Sequence, residues 1–358
     1  GGTFTVNAPN ASSSITFDGN KIETTVKEGG AFYVDGGSIN LSGADKSGGG
    51  KTINIQNNVI SYPGSSYGSS SSYTSGFGGG VCIWSGTNTL TNCSITGNTV
   101  SPSSDSAIAY GGGVCIDGSG TNTLTNCSIA GNTASASSGA KGGGIDMSSS
   151  GTNTLENCSI TGNKASTSSD SSVSGGGVCI WNQKSTSTLT NCSITGNTAE
   201  SSKHAYGGGI NIEYGTSTFS NCNITGNTVS ASTSVPSFIY TYGGGIRVCE
   251  NTTMLGMMNI TGNTAKRGSA SSDDNLFFYS DYRAALNDGN GNALSTSSKI
   301  GVSTYKTPNE GTDVLFATSA TEEMKACFTP DDGNYMVKYH GSVLYLKLAY
   351  SNLYYKNN

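Results

Sequence analysis

The sequence is poor in proline, charged residues and long apolar runs. Its 358 residues include 6 Pro, and charged residues make up 11% of the total. No apolar stretch approaches the roughly 20 residues that a helix needs to cross a bilayer, so no membrane span is predicted. The 18 Lys and Arg residues form no run, which excludes the basic patch expected of a nucleic-acid-binding protein. Nucleic acid is therefore not a predicted partner.

Spacings typical of metal sites and catalytic triads are missing as well. The ten Cys contain no Cys-x-x-Cys pair, and the two His, His204 and His340, are isolated in the sequence. These features exclude a structural zinc site and give no support to a Ser-His-Asp arrangement. The carboxylates are scattered, whereas a calcium site needs several together. We predict no cofactor, no metal and no catalytic residue.

Ser, Thr, Asn and Gly are abundant, while Lys and Glu are sparse. This composition favours a secreted or cell-surface protein over a cytosolic enzyme. The chain starts at Gly1 without Met, as expected of a processed or trimmed protein. The predicted location is extracellular or at the cell surface.

The dominant positive feature is a repeated phrase. Leu-Thr-Asn-Cys-Ser-Ile-Thr-Gly-Asn occupies residues 90–98 and returns, with small changes, five times. The later copies are at 124–132, 155–163, 189–197, 219–227 and 255–263. With two weaker copies before them, the closing Asn residues fall at 20, 58, 98, 132, 163, 197, 227 and 263. Such a recurring period is the mark of a repeat fold.

Each repeat contains three strand-like segments, which in one copy are residues 81–84, 87–91 and 93–96. Apolar residues alternate in them, Gly and Asn separate them, and helical periodicity is absent. Segments this short bury an apolar face only by stacking on the same segment of the next repeat. The sequence therefore predicts an all-β, right-handed, single-stranded parallel β-helix of about eight turns.

Alternation also assigns the interior of the predicted rod. Val81, Ile83, Leu90, Cys93 and Ile95 should face inward, as should Val114, Ile116, Leu124, Cys127 and Ile129 one turn later. Cys158, Cys192 and Cys222 continue the inner cysteine column. We interpret this column as small buried hydrophobic residues; disulfides or a metal-binding row are the alternatives. Each inner cysteine is preceded by an asparagine at the bend between the second and third segments. These asparagines are predicted to form a hydrogen-bonded ladder, and they are Asn92, Asn126, Asn157, Asn191 and Asn221.

The C-terminal part differs from the repeats. Residues 1–274 are predicted to form the parallel β-helix. Residues 275–358 are richer in charge and aromatic side chains, and are predicted to form final irregular turns and a C-terminal β cap. A cap is expected because exposed rod ends invite edge-to-edge pairing.

The candidate ligand-binding face lies on the first segment of each turn, beneath loops that vary in length. Its outward positions include Trp84, Asp117, Asp146, Trp181, Glu213 and Arg247. Exposed Trp beside carboxylates suits a sugar-binding groove. Asp117 and Asp146 are expected roughly 8 Å apart on adjacent turns, a separation that could suit a carboxylate pair in glycoside hydrolysis. The alternative is two solvated acids without a catalytic role.

A second outward surface is formed by ranks of threonine on the second segment. Thr87, Thr89 and Thr91 recur as Thr121, Thr123 and Thr125. Because Leu90 faces inward, these side chains should face outward in ranks, which resembles an ice-binding face. The alternative is that Thr simply suits a solvent-facing strand.

The repeats resemble those of right-handed β-helix surface proteins of bacteria. The form Gly-Gly-Gly-Ile … Leu-Thr-Asn-x-x-Ile-x-Gly-Asn, over about residues 15–263, is similar to chlamydial polymorphic outer-membrane proteins and pectin-lyase-like adhesin repeats. Phe17-Asp18-Gly19-Asn20 followed by Gly29-Gly30-Ala31 matches the polymorphic-protein motif once. The resemblance implies a non-catalytic, adhesin-like or structural surface protein whose partner is a host or cell-surface glycan or protein. The alternative is a polysaccharide-binding or polysaccharide-degrading protein of pectate-lyase type.

Overall fold

A computed structural model describes residues 2–8, 10, 14–22, 29–45, 50–61, 75–232 and 239–349, with only the backbone of Asn182. Part of the predicted variable loop at 228–242, namely 233–238, lies outside the described residues, as do the last nine positions of the predicted cap.

The described strands form three sheets. The main sheet contains Thr3–Asn7, Ile15–Asp18, Phe32–Val34, Ser38–Ser42, Ile53–Gln56, Val81–Thr91, Cys93–Thr96, Val114–Thr125, Ser128–Ala130, Ile145–Met147, Thr152–Glu156, Ser159–Thr161, Val178–Thr190, Ser193–Thr195, Ile210–Ser220, Asn223–Thr225, Ile246–Val248, Thr252–Leu255, Asn259–Thr261, Leu276–Phe278, Ala284–Ala285, Lys299–Thr304, Val314–Thr318, Phe328–Pro330, Tyr335–His340 and Val343–Leu348.

The other two sheets are named here by the direction of the chain. The outgoing sheet leaves each closing Asn and contains Lys21–Ile22, Val59–Ile60, Thr99–Val100, Thr133–Ser135, Lys164–Ser166, Thr198–Ser201, Thr228–Ala231, Thr264–Arg267 and Ala270–Asp273. The returning sheet leads into each triple Gly and contains Gly76–Phe77, Ala109–Tyr110, Ala140–Lys141, Ser172–Ser174, His204–Tyr206 and Tyr240–Tyr242. A single 3-10 helix among the described residues spans Glu323–Cys327.

Strands of successive turns pair in parallel with identical positions opposite each other. Ile95 lies opposite Ile129, which lies opposite Ile160 in the next turn. The predicted all-β parallel solenoid of about eight turns is therefore confirmed. The predicted interior is confirmed too, since the inward-facing residues named from alternation all lie in one continuous buried core.

The regions of variable length lie between each closing Asn and the next triple Gly, for example residues 99–110 and 133–141. The sequence predicts them as loops that project from the rod, but in the structure both ends of these regions form strands of the outgoing and returning sheets. A second core of small residues packs between these two sheets, and it includes Val100, Ala109, Ala134 and Ala140. Small side chains are needed there because the two sheets approach closely. The stacked region fixes the returning sheet against the rod.

The predicted asparagine ladder exists, but not at the predicted position. Asn92 and its equivalents turn the bend with φ between 51° and 54°, a left-handed conformation that Asn tolerates better than most residues. Asn191 Nδ2 donates to Asn157 Oδ1 at 3.1 Å, but this bond does not repeat along the column. The prediction is therefore wrong. The bend asparagines are used for their backbone conformation, and their side chains are half-buried or exposed.

The repeating ladder is formed by the closing asparagines, which are buried from Asn58 to Asn263. In each step the backbone N–H and Nδ2 of one Asn both donate to Oδ1 of the next. Asn132 donates to Asn163 at 2.9 Å through each nitrogen, and Asn163 donates to Asn197 at 2.9 and 3.0 Å. Nδ2 of Asn163 also donates to the carbonyl of Ile129 at 2.9 Å. The amide groups of these buried asparagines are thereby fully paired.

The triple Gly lies against this ladder. In one turn, Gly142 has φ of +63°, a left-handed conformation. A Cβ on Gly143 would overlap backbone atoms of Gly176 and Lys164, and a Cβ on Gly144 would lie 3.0 Å from Asn163 Nδ2. The three glycines therefore have different roles, and the last one makes room for the asparagine amide.

The core continues through the C-terminal residues. Leu276, Phe278, Ile300 and Phe316 are buried in the same cluster as the repeats. The chain then forms an antiparallel hairpin from Tyr335–His340 and Val343–Leu348. The division into two domains at residue 275 stays a prediction.

Candidate functional site

The returning sheet carries a column of side chains, most of them large, across the outer face of the first segment. Each residue directly before a triple Gly lies opposite its equivalent in the next turn. The column reads Phe77, Tyr110, Lys141, Ser174, Tyr206 and Tyr242. These side chains and the outward side chains of the first segment share one surface of the rod.

A cavity of about 740 Å³ opens on this surface. It is named the aromatic cavity here, and its lining residues are Phe77, Tyr110, Asp117, Lys141, Ser148, Ser150, Trp181, Gln183, Lys184 and Tyr214. Two of the six sequence-predicted site residues, Asp117 and Trp181, thus lie in one cavity. Lys141 and three further aromatic residues join them.

Aromatic rings build the walls of the cavity. Phe77 and Tyr110 stack in parallel, with centroids 4.9 Å apart and planes 5° apart. Trp181 and Tyr214 meet edge to face at 5.4 Å and 86°. The ammonium of Lys141 lies 3.5 Å from the Trp181 ring centroid, which is a close cation–π contact. The cavity therefore offers flat apolar surfaces beside a positive charge.

Trp84 lies at the margin of this arrangement. Its ring contacts Phe77 at 5.7 Å and 63°, and it does not line the cavity. Nε1 of Trp84 is buried and has no hydrogen-bond partner among the described residues. Trp84 is therefore half-buried against Phe77, whereas the sequence placed it as an exposed platform.

Asp146 was predicted at an exposed outward position, and that prediction is wrong. Its side chain is 0% exposed, because the returning sheet covers the first segment at this turn. Oδ2 accepts a hydrogen bond from Ser148 Oγ at 2.6 Å, and Oδ1 has no partner among the described residues. Asp117 remains partly exposed and accepts a bond from the Gly118 N–H at 2.7 Å. The two carboxylates are therefore not equally accessible to a ligand.

Burial raises the pKa of Asp146 from 3.8 to about 7, although nearby Lys141 and the bond from Ser148 lower it. Between those two pH values the folded protein holds a proton that the unfolded chain has lost. Stability should therefore fall as pH rises from about 4 to about 7, and level off above. Asn has the shape of Asp but does not ionise. The free energy of unfolding of Asp146→Asn should therefore fall less than that of the wild type as the pH rises through this range. At about 1.4 kcal/mol per pKa unit the difference should be a few kcal/mol.

Urea denaturation of both proteins at about pH 5 and pH 8 measures this effect. Asp274 is also buried, and its pKa is also raised to about 7. It titrates in both proteins, so the difference between them isolates Asp146. An identical loss of stability in the wild type and Asp146→Asn would show that Asp146 stays ionised in the folded state.

Arg247 and Glu213 form a separate pair next to the cavity: Glu213 directly precedes the lining residue Tyr214, and Arg247 lies one turn further along the rod. Nη1 of Arg247 donates to Glu213 Oε2 at 2.5 Å and to Asn211 Oδ1 at 3.1 Å. The guanidinium lies 4.3 Å from the Tyr206 ring centroid and is 6% exposed. The predicted outward position of Arg247 is covered, as it is at Asp146. A ligand-binding role for Arg247 stays a prediction. The pair satisfies buried charges and does not line the cavity.

Sequence reasoning missed the contribution of the returning sheet. Phe77, Tyr110 and Lys141 stand in variable regions that were interpreted as loops. A signal was present, because each of them directly precedes a triple Gly. Because the triple Gly recurs once per turn, the residues directly before it should lie opposite one another in successive turns. A column of these residues could therefore have been predicted.

The predicted threonine ranks are in register. Thr89, Thr123, Thr154, Thr188 and Thr218 lie opposite one another in successive turns. The adjacent column is interrupted by the exposed carboxylate of Glu156, which lies between Thr125 and Thr190. Ice binding by this surface stays a prediction.

The described part of the chain contains no group of three or more His, Cys, Asp or Glu side chains placed to hold a metal ion. In the same residues, no helix has the length and hydropathy needed to cross a membrane.

One family model matches the chain. Its description is "Right handed beta helix region", and it matches residues 6–166 and 79–304. The two matches overlap and together extend from residue 6 to residue 304, well over half of the sequence. No curated protein matches the chain.

Proposed function

The chain belongs to the family with a right-handed β-helix region, and on that premise we propose that it is a non-catalytic, adhesin-like protein that binds a glycan in the aromatic cavity. The location proposed for this activity is outside the cell or at the cell surface. One observation carries the proposal: the edge-to-face pair of Trp181 and Tyr214 stands beside the stacked pair of Phe77 and Tyr110 in a single open cavity.

The chemistry of the cavity suits a sugar chain. Trp and Tyr provide flat apolar surfaces with a polar edge, which match the apolar face and the hydroxyl groups of a pyranose ring. Ser148, Ser150 and Gln183 add hydroxyl and amide groups along the same lining. Four aromatic side chains, with polar groups beside them that fix orientation, are a combination found in small-ligand sites.

A binding role is supported over a hydrolytic one by the carboxylates. Glycoside hydrolysis uses two carboxyl groups on opposite sides of the scissile bond. Asp117 is the one carboxylate that lines the aromatic cavity, whereas Asp146 is sealed beneath it. The described lining therefore offers one acid or base where the reaction needs two.

An extracellular location is compatible with the cysteines. All ten are free and buried, so an oxidising medium has no exposed thiol to cross-link. The composition, rich in Ser, Thr, Asn and Gly, supports the proposal that the protein works outside the cytosol.

The proposal is tested by a glycan array, followed by calorimetry on the glycans that bind. Trp181→Ala should weaken binding at least about tenfold, because Trp side chains at the centre of a binding site commonly contribute 2 kcal/mol or more. The matched control is Tyr305→Ala, which removes an exposed aromatic side chain outside the aromatic cavity. The bound polysaccharide should show no new reducing ends or double bonds after incubation.

Two results would count against the proposal. Loss of binding in Tyr305→Ala but not in Trp181→Ala would move the site away from the aromatic cavity. Cleavage of the bound polysaccharide that disappears in Asp117→Asn would favour the degrading alternative.

A further inference from the structure

One basic side chain of the aromatic cavity lies directly against its rings. Lys141 is opposite Tyr110 of the preceding turn and Ser174 of the next turn in the returning sheet. Its ammonium is 3.5 Å from the Trp181 ring centroid and 5.4 Å from that of Tyr110. A separation of 3.5 Å places the nitrogen over the face of the Trp181 ring. The cation therefore occupies a surface on which a sugar ring would stack.

The Lys141 ammonium has no other partner in the part of the chain that the structure describes. It takes part in none of the ion pairs found there and donates none of the hydrogen bonds. Other lysines each pair with a carboxylate, among them Lys164, Lys203, Lys306 and Lys338. An ammonium group has three donors, so all three are available to a ligand.

The charged groups around Lys141 leave the cavity positive. Lys184 and Asp117 are the other charged side chains of the described lining, which therefore carries two positive charges and one negative. Asp117 accepts the Gly118 N–H and forms no ion pair with Lys141. Asp146 is sealed beneath, and burial raises its pKa to about 7, so it is partly protonated near neutral pH. The chain as a whole has a net charge of -5, and the cavity is thus a positive site on a negative protein.

Stacking on this face of Trp181 requires the ammonium to leave the ring. The cation–π contact is lost in that step, and a neutral sugar replaces it with hydroxyl groups alone. A carboxylate or sulfate group instead accepts charge-assisted hydrogen bonds, which are roughly twice as strong as those between neutral groups. The ligand that compensates the displaced contact best is therefore negatively charged.

We propose that the glycan bound in the aromatic cavity is anionic and that Lys141 selects it. The carboxylate or sulfate group of the ligand accepts hydrogen bonds from the Lys141 ammonium and draws it away from Trp181. The sugar ring beside that group then stacks on the exposed face, while Ser148 and Ser150 remain for its hydroxyl groups. This inference rests on the glycan proposal and names the class of ligand for the same cavity.

The test compares charged and neutral forms of the same polysaccharide backbone. A uronic-acid polymer is paired with its carboxyl-reduced form, and a sulfated polymer is paired with its desulfated form. Calorimetry should show that the anionic member of a pair binds at least about tenfold more tightly than the neutral member. Added sodium chloride should weaken binding of the anionic member only, because salt screens the charges. The pair that shows the preference identifies the group, carboxylate or sulfate, that Lys141 contacts.

Three variants assign the preference to Lys141. Lys141→Met keeps a long side chain without the ammonium, and the ratio of the two dissociation constants should fall to about one. Lys141→Arg keeps the positive charge and the capacity for a cation–π contact, and it should retain the preference. The matched control is Lys306→Met, which removes one positive charge outside the aromatic cavity and should leave the preference unchanged.

Two results would overturn this assignment while the glycan proposal stands. The first is equal affinity of the wild type for the charged and neutral members of both pairs. The second is a preference for the anionic member that persists in Lys141→Met. Binding of no glycan, charged or neutral, would remove the glycan proposal and the role of Lys141 together.

Discussion

Replacing Asn163 with alanine should destabilise the protein by several kcal/mol. The substitution removes the acceptor of two bonds from Asn132 and the donor to the Ile129 carbonyl, all buried. A buried polar group left unpaired costs about 1–3 kcal/mol, and here three are affected at once. The neighbouring Gly144 packs on the same amide, so the loss also leaves a void. Urea denaturation followed by circular dichroism measures the effect.

The matched control is Asn157→Gly in the same repeat. Asn157 is exposed at the bend with φ of 53°, and glycine adopts this conformation without steric cost. We expect its stability to stay within about 1 kcal/mol of the wild type. Because a solenoid can unfold in parts, hydrogen exchange of the ladder amides should accompany the denaturation curves. Equal effects of the two substitutions would mean that the closing ladder contributes no more than the bend.

These two asparagines also show where sequence reasoning reached its limit. Asn157 and Asn163 both recur once per turn, so periodicity gives no basis for deciding which column is buried. The decisive feature is the neighbour across the turn: Gly144 makes room for the amide of Asn163. Gly144 and Asn163 are nineteen positions apart in the sequence. Their contact depends on how the chain closes each turn, which periodicity does not predict.

The interior of the rod was accessible from the sequence for a physical reason. In a strand with one buried face, apolar and polar residues alternate with period two. Equivalent strands also stack in register from turn to turn, so Val81, Leu90 and Ile95 each belong to a buried column. The burial of Cys82 and Asp146 could not be obtained this way. They lie on the outer face of the first segment, and only the returning sheet, reached through regions of variable length, covers that face.

The candidate site was predicted in part for the same reason. Trp181 and Asp117 stand on the first segment, whose register the repeat determines. Tyr110 and Lys141 reach the cavity from the returning sheet, and their register depends on regions whose lengths differ from turn to turn. In the sequence, Tyr110 and Lys141 share only their position directly before a triple Gly. That shared position predicts that they lie opposite each other in successive turns, but it does not predict which surface of the rod they cover.

Replacing Gly143 with alanine should severely destabilise the rod. A Cβ at this position would overlap the carbonyl oxygen of Gly176 in the next turn and the backbone of Lys164. The backbone of both residues is hydrogen-bonded to neighbouring turns, by the Gly176 N–H to the Gly207 carbonyl at 3.0 Å and by the Lys164 N–H to the Asn132 carbonyl at 2.9 Å. These backbone atoms cannot move aside as a flexible side chain would. We expect a loss above about 4 kcal/mol, the range reserved for severe disruptions, or failure to fold.

Gly162→Ala separates this steric effect from the conformational cost of losing a glycine. Gly162 has φ of +63°, and a Cβ there would meet no atom within 4 Å. The cost should be about 1–2 kcal/mol, that of a left-handed conformation in an L-residue. Soluble yield and thermal denaturation of the two variants measure the difference. If Gly143→Ala destabilised the protein no more than Gly162→Ala, successive turns could move apart where the outgoing and returning sheets meet the rod. The returning sheet would then not be fixed closely enough to hold Tyr110 and Lys141 over the first segment, and the aromatic cavity would lose its wall.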